Sequence, residues 1–326
     1  MHDTLDVLLL LALPASGKSE LRRYLAQLDP EIAATDFGLG PTVQLDDYPY
    51  VHLMRRVAQE LRELDASPVF FASDAEPFLD GRDWATLTAL VSEDFAALGS
   101  APGVPDEPTS WLLDRYDRAG SVGGIEPRFA PLPESVRSAL SVALDDEVAE
   151  LARERSATLA SYETGISTVV IEFARGGPEG VDPPLPEPHG YQYSLRFLSD
   201  DILDRASILY VWVTPEESRN RNEERARPGR DGDASILHHG VPDAVMRGDY
   251  GSDDLVYLLE SSSDAGTIEV PLGAAHHRIP TAVFDNQEDR TSFLRADPST
   301  WDPEATTALH EALETAFRDL SPPPTT

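Results

Sequence analysis

The chain has 326 residues, of which 41% are hydrophobic, so it can bury a sizeable core in one large domain or two small ones. Its 58 acidic residues outnumber its 26 lysines and arginines, and the formal net charge of −32 disfavours nucleic acids and anionic membranes as partners. The absence of cysteine excludes disulfides, thiolate zinc sites and a cysteine nucleophile.

Residues 5 to 13 form a continuous apolar run, which is typical of a strand buried on both faces of a parallel sheet. The run is far shorter than the roughly 20 residues of a membrane span, and no signal-peptide cleavage pattern accompanies it. We therefore expect a soluble, cytoplasmic protein. The spacing of leucines predicts a helix over residues 19 to 28, which ends at Asp29 and Pro30.

Between the strand and the helix, residues 12 to 19 read ALPASGKS. They fit the phosphate-binding loop pattern G-x-x-x-x-G-K-[ST], except that alanine replaces the first glycine. Backbone N–H groups of residues 15 to 19 are expected to surround a phosphate at the helix N-terminus. The predicted nucleotide-binding residues are Ala12, Pro14, Ala15, Ser16, Gly17, Lys18, Ser19 and Glu20.

Two of these residues have specific predicted roles. Lys18 would reach the β- and γ-phosphates of ATP, and the Ser19 hydroxyl would ligate Mg²⁺. Lys18 is the only lysine in a chain that otherwise uses arginine. Because a compact ammonium fits a slot that the planar fork of arginine does not, the lone lysine argues against a chance Gly-Lys-Ser in an ordinary turn.

Four further strands are predicted to alternate with helices, at residues 41–47, 167–174, 207–213 and 279–285. This alternation predicts an α/β fold with a parallel, doubly wound sheet. Asp302 as N-cap and Pro303 as the first helical residue predict the start of the last helix. We predict one domain over residues 1–320, with a helical insert at about 75–160, a lid and insert at about 215–278, and a disordered tail at 321–326.

With these motifs, the sequence resembles the P-loop kinases that act on nucleotides, nucleosides and small molecules, such as adenylate kinase, uridine kinase and gluconate kinase. The resemblance implies a P-loop NTPase fold with a five-stranded parallel sheet in the order 2-3-1-4-5, flanked by helices. It further implies transfer of the γ-phosphoryl group of Mg·ATP to a hydroxyl of a small molecule. ATP and Mg²⁺ are therefore the expected cofactors, and a small-molecule acceptor is the expected partner.

Residues 45–50, LDDYPY, look like the DD[FY] motif of the uridine-kinase-like group. In that group one aspartate accepts the proton of the acceptor hydroxyl or holds Mg²⁺ through water. Asp46 and Asp47 are both candidates for these roles. The alternative is that they only cap the following helix.

Glu172 lies at the carboxyl end of the third predicted strand, and ligands of an open parallel sheet bind outside such ends. It is a candidate ligand for hydrated Mg²⁺ or for the acceptor, and a solvated strand-end charge is the alternative. Arg175 follows in the adjoining loop and is a candidate substrate ligand, with a solvated charge as the alternative.

Thr214 as N-cap, Pro215 and Glu217 predict a helix after the fourth strand, with a capping box at its start. Arg221 and Arg225 lie one turn apart on it. In the kinases that the sequence resembles, a lid helix at this place brings arginines to the transferring phosphoryl group, where bidentate donors stabilise developing charge. The alternative is a solvated basic face paired with the interleaved glutamates.

Asn286 follows the fifth predicted strand, where related kinases hold the adenine, and it is a candidate contact to the base. Asn286 and Asp289 also fit the guanine-reading pattern N-[KQ]-x-D, but no D-x-x-G follows a strand, so we set a GTPase aside. Two histidine pairs, at 238–239 and 276–277, lack ligand spacing and are predicted on loop surface. Trp84, Trp111 and Tyr116 are predicted as aromatic core, with an acceptor pocket as the alternative.

Two other functions remain open at the level of sequence. One is a nucleotide-dependent regulator that binds or hydrolyses ATP or GTP without an acceptor. The other is a kinase that acts on a nucleic-acid end or a tRNA, against which the net charge of −32 and the lack of a basic stripe argue.

Overall fold

The computed structural model describes residues 4–226, 240–272 and 275–320. It has an α/β architecture in which helices flank a mixed, mostly parallel sheet of six strands. The strands are β1 (Val7–Leu11), β2 (Thr42–Asp46), β3 (Thr168–Phe173), β4 (Ala206–Trp212), β5 (Thr267–Leu272) and β6 (Ala275–Asp285). The described helices are α1 (Lys18–Leu25), α2 (Pro30–Phe37), α3 (Tyr48–Glu63), α4 (Asp83–Ala96), α5 (Pro108–Val122), α6 (Glu134–Ala160), α7 (Gly190–Leu195), α8 (Asp200–Leu203), α9 (Pro215–Arg225), α10 (Asp243–Gly248), α11 (Leu255–Ser261) and α12 (Pro303–Leu320).

The strands lie in the order β2-β3-β1-β4-β6-β5. All neighbouring pairs are parallel except β5 and β6, which are antiparallel. The five predicted strands are therefore all present and parallel, but the sheet is not limited to them, because β5 adds a sixth, antiparallel strand at one edge. β5 lies in a segment that was interpreted as lid and insert, and Pro271 within it is compatible only with an edge position or a bulge.

β1 lies at the centre of the sheet and is buried on both faces, as its apolar run predicts. Val7, Leu9 and Leu11 belong to one hydrophobic cluster, and Leu8 and Leu10 belong to another on the opposite face. This alternation follows from the two-residue period of a strand. Helices therefore cover the sheet on both sides, and the ends of the strands are left as the place for a site.

The boundary between the first two helices differs from the prediction. Asp29 and Pro30 were expected to end a helix, but they start α2. Asp29 Oδ1 accepts a hydrogen bond from the N–H of Glu31 at 2.9 Å, and Pro30 occupies the first helical position, which is typical of a helix N-terminus. Asp302 and Pro303 begin α12 in the same way, as predicted: Asp302 Oδ1 accepts from the N–H of Glu304 at 2.8 Å.

The segment at 75–160 contributes α4, α5 and α6, which pack with α3 around a hydrophobic cluster of their own. Tyr116 is fully buried in that cluster, and Trp111 lies at its margin. None of the helices in the described ranges has the length and apolar character to cross a bilayer. The predicted tail at 321–326 lies outside the described residues.

Candidate functional site

A cleft of about 420 Å³ lies at the carboxyl ends of β1, β2 and β3. It brings together most of the residues that the sequence singled out. The predicted site residues that line it are Pro14, Ala15, Ser16, Gly17, Lys18, Ser19, Glu20, Asp46, Asp47, Glu172 and Arg225. Ala12, Arg175, Arg221 and Asn286 lie behind this surface, and their contacts are described below.

The loop at residues 12–19 turns sharply between β1 and α1. Ala15 and Gly17 both have positive φ, at 56° and 103°, and α1 begins at Lys18. Alternation of left-handed and right-handed backbone turns N–H groups toward one point and makes an anion-binding concavity. A Cβ on Gly17 would lie 2.4 Å from Thr291 Oγ1 and 2.6 Å from Asn286 Nδ2, so only glycine fits there.

Asn286 supports this loop from behind. It is fully buried, and its Nδ2 donates to the Ser16 carbonyl at 2.7 Å and to Thr291 Oγ1 at 2.9 Å. The structure therefore does not support the predicted contact between Asn286 and a base. Ala12, in the place of the first motif glycine, is likewise fully buried, in the hydrophobic cluster beneath α1.

Glu172 and Lys18 face each other across the floor of the cleft. Lys18 Nζ lies 3.8 Å from Glu172 Oε1, and Arg22 Nη1 lies 3.4 Å from Glu172 Oε2. Gln44 Nε2 donates to the same oxygen at 3.4 Å. These contacts are long, at or beyond the limit of a hydrogen bond, so Glu172 has three donors nearby but no short, strong partner.

Asp46 is the register partner of Glu172 on the neighbouring strand, so both side chains project from the same face of the sheet. Burial, followed by the charges of Glu172 and Asp47, raises the pKa of Asp46 to about 7. Asp46 Oδ1 accepts from the N–H of Tyr48 at 2.8 Å, which fixes its orientation. A carboxylate with a pKa near neutral, facing a cleft, is a candidate for proton transfer.

Asp47 has a different environment from that of Asp46. Arg175 Nη1 donates to Asp47 Oδ2 at 2.7 Å, and Arg175 Nε donates to Ser194 Oγ at 2.9 Å. Arg175 is only 1% exposed. It is therefore a buried partner of Asp47, and the expectation that it contacts the substrate directly is not supported.

Arg221 and Arg225, the two candidate arginines of α9, also have different environments. Arg225 Nη2 donates to Glu20 Oε1 at 2.7 Å, and Arg295 Nε donates to the same oxygen at 2.7 Å. Burial alone would raise the pKa of Glu20, but the charges of Arg225 and Arg295 together lower it below its ordinary value. Glu20 thus acts as the anchor of Arg225 at the edge of the cleft, beside the start of α1.

Arg221, one turn earlier, points away from the cleft. Its Nη2 donates to the carbonyls of Asn286 and Gln287 at 2.8 and 3.0 Å, and its Nε donates to Glu217 Oε1 at 2.7 Å. Thr214 Oγ1 accepts from the Glu217 N–H at 3.2 Å, which confirms the predicted N-cap. Because the Glu217 side chain pairs with Arg221, the reciprocal half of the predicted capping box is replaced by this ion pair.

The donor set of the cleft suits a hard cation. The Ser19 hydroxyl and the Asp46 and Glu172 carboxylates all line it, and oxygen ligands are those that Mg²⁺ takes in combination with water and phosphate. Across the described ranges, no group of three or more His, Cys, Asp or Glu side chains is arranged to hold a metal without such help.

The histidine pairs do not contribute to this site. His276 and His277 lie on β6, not on a loop as predicted, and His277 pairs with Asp200 and Asp204. The pair at 238–239 lies outside the described residues.

Several cleft residues were missed by the sequence analysis. Arg22 lies one turn after Lys18 on α1, and this spacing was the available signal. Val51, Leu87 and Tyr250 also line the cleft. Tyr250 follows α10 in a segment without a motif, so nothing in the sequence pointed to it.

In comparison with known proteins, no protein-family model, no curated protein and no solved structure matches the chain.

Proposed function

We propose that this protein is a phosphotransferase with a P-loop NTPase fold, which moves the γ-phosphoryl group of Mg·ATP to a hydroxyl of a small molecule. The observation that carries the proposal is the meeting of three groups in one cleft. Lys18 lies at the start of α1 behind a concave loop, Glu172 lies 3.8 Å from it, and Asp46, with a pKa of about 7, lies beside Glu172. The order of the parallel strands, β2-β3-β1-β4-β6, agrees with the order that the resemblance implies.

Each residue has a role that follows from its position. The N–H groups of the 12–19 loop and the Lys18 ammonium bind the phosphates, and the Ser19 hydroxyl and Glu172 hold the cation directly or through water. Mg·ATP supplies the phosphoryl group and a divalent charge that stabilises its transfer. Arg225 stands at the cleft edge, where it can donate to phosphoryl oxygens.

Asp46 is the proposed base. In its ionised form it accepts the proton of the acceptor hydroxyl as the acceptor oxygen bonds to phosphorus and the bond to ADP breaks. Asp47 remains paired with Arg175 and positions the end of β2, which carries Asp46. A raised pKa suits this role, because a base is most effective when its pKa lies near the working pH. A reaction that consumes ATP fits the cytoplasm, which we propose as its location.

The test is the release of ADP from Mg·ATP with and without added alcohols, for the wild type and for Lys18→Ala. We expect release that depends on an alcohol and is lost in Lys18→Ala, while circular dichroism shows an unchanged fold. ADP release that no alcohol stimulates would indicate a hydrolytic regulator instead. Equal activity in Lys18→Ala would remove the phosphate-binding role of the 12–19 loop.

A further inference from the structure

Part of the cleft is lined by rings and aliphatic side chains, which together form an apolar wall. They are Val51, Trp84, Leu87, Phe173 and Tyr250, and they come from α3, α4, β3 and the segment after α10. We propose that the acceptor is an uncharged alcohol that carries a planar ring, which this wall binds. The inference rests on the proposed function and extends it to a class of substrate.

The aromatic part of the wall is held rigidly by further rings. Trp84 meets Tyr250 edge-to-face at 5.8 Å between centroids and meets Phe78 edge-to-face at 4.9 Å. Phe78 in turn stacks on Phe71 at 4.5 Å. Rings that are fixed before binding lose little entropy when a ligand contacts them, and they favour planar partners.

Tyr250 reaches the wall because the chain approaches closely at two glycines. Gly177 exchanges backbone hydrogen bonds with Ser252 at 2.9 and 3.0 Å. A Cβ on Gly176 would lie 2.5 Å from the Ser252 carbonyl oxygen, so only glycine allows this contact. The loop after β3 thus fixes the 249–252 segment against the cleft.

The charges around the wall disfavour an anionic acceptor. The Arg175 guanidinium lies 4.6 Å from the centre of the Trp84 ring and 4.8 Å from that of Phe173, but it is buried and paired with Asp47. The rings therefore cover this charge instead of presenting it. Asp46, by contrast, presents its carboxyl group to the cleft, and in the ionised form that the proposed base requires it would repel a phosphate or carboxylate on the acceptor.

Each of the three cations that line the cleft lies close to a carboxylate. Lys18 and Arg22 contact Glu172, and Arg225 contacts Glu20. An anionic acceptor would have to compete for them with these carboxylates and with the triphosphate. A volume of about 420 Å³ is at the lower end of the ~300–1,000 Å³ of small-molecule sites, so the acceptor that shares it with phosphates is small.

The experiment compares three kinds of alcohol. The first carries a planar ring and no charge (uridine and 4-nitrobenzyl alcohol), the second has no ring (sorbitol and glycerol), and the third carries a planar ring and an anion (uridine 5′-monophosphate). ADP release from Mg·ATP is measured with each. Binding of each alcohol to the protein with Mg²⁺ and a non-hydrolysable ATP analogue is measured by calorimetry.

We expect the uncharged ring alcohols to bind and to stimulate ADP release at least 10-fold better than the other two kinds. Better transfer to the ringless or anionic alcohols would overturn this inference and leave the phosphotransferase intact. Binding of ring alcohols without any stimulated ADP release would reject the phosphotransferase and retain the ligand class. Failure of the ring alcohols to bind would overturn the inference regardless of activity.

Variants locate the effect at the wall. Trp84→Ala should raise KM for the ring alcohol by about 10-fold or more with KM for ATP unchanged, and Trp84→Phe should keep most of the affinity. Trp111→Ala is the matched control, because Trp111 is a partly buried aromatic residue of the same helical cluster outside the cleft. If Trp84→Ala does not fold, Val51→Lys, at a partly exposed position of the wall, should weaken binding of the ring alcohol. Unchanged acceptor affinity in the folded variants would refute the role of the wall.

Discussion

Replacement of Asp46 by asparagine tests the candidate base without knowledge of the acceptor. The pKa of Asp46 is raised from 3.8 to about 7 in the folded protein. Between these two values the folded state therefore binds more protons than the unfolded state, and the free energy of unfolding falls as the pH rises. Ionisation of Asp46 therefore leaves the free energy of unfolding unchanged below about pH 4 and lowers it by the full amount above about pH 7.

The size of this effect follows from the shift. A difference of about three pKa units corresponds to about 4 kcal/mol at 1.36 kcal/mol per unit. Asp46 keeps part of its surface accessible, so we halve this upper bound to about 2 kcal/mol. When the pH is raised from 4.5 to 8, the free energy of unfolding of Asp46→Asn should therefore increase by about 2 kcal/mol relative to that of the wild type.

The measurement is urea unfolding of both proteins at several pH values in this window. Glu172→Gln serves as the second arm, since its charge is one cause of the raised pKa. Unit charges about 5 Å apart on neighbouring strands repel by about 3 kcal/mol at an effective dielectric constant of about 20. After allowance for solvent, the pKa of Asp46 should fall by about one unit in Glu172→Gln.

Activity gives the companion readout once an acceptor is found. The logarithm of kcat/KM for the acceptor should rise with pH up to about 7 in the wild type and level off at a lower pH in Glu172→Gln. Asp46→Asn should lose about 10²- to 10⁴-fold in transfer while ATP still binds. A stability difference between wild type and Asp46→Asn that does not change with pH would refute the raised pKa and, with it, the choice of base.

Three further predictions follow from the cleft. Lys18→Arg should not restore the transfer that Lys18→Ala loses, because a planar fork does not fit behind the 12–19 loop; turnover near that of the wild type would contradict this. Arg225→Ala should lower kcat by about 10²-fold with little change in KM for ATP. Arg221→Ala should lower the thermal stability and reduce kcat less. Equal losses of kcat in the two variants would contradict these separate roles. Asp47→Asn should lower the free energy of unfolding, measured in urea, by about 3–5 kcal/mol, because it leaves the Arg175 charge buried without its partner. A loss below about 1 kcal/mol would show that the fold does not need this ion pair.

The parts of the fold that the sequence predicts are those with local patterns. β1 is a continuous apolar run, and the loop after it needs a glycine at a positive φ, so both leave a signal in consecutive residues. Asp46 and Glu172 were found because parallel strands end at one edge of a sheet, whatever the rest of the chain does. β5 was missed because its six residues include a proline and lie in a Gly-, Asp- and Ser-rich segment.

The roles that could not be predicted depend on partners distant in sequence. Arg221 and Arg225 have the same residue type, lie on one helix and are separated by one turn, so their pattern gives no reason to distinguish them. Only the tertiary contacts do so: Arg225 meets Glu20 at the start of α1, while Arg221 holds the carbonyls of the 286–287 loop. That loop supports the 12–19 loop through Asn286. The two arginines therefore reach the 12–19 loop region by different routes: Arg225 pairs with Glu20 at the edge of the cleft, and Arg221 holds the 286–287 loop that supports Ser16 through Asn286.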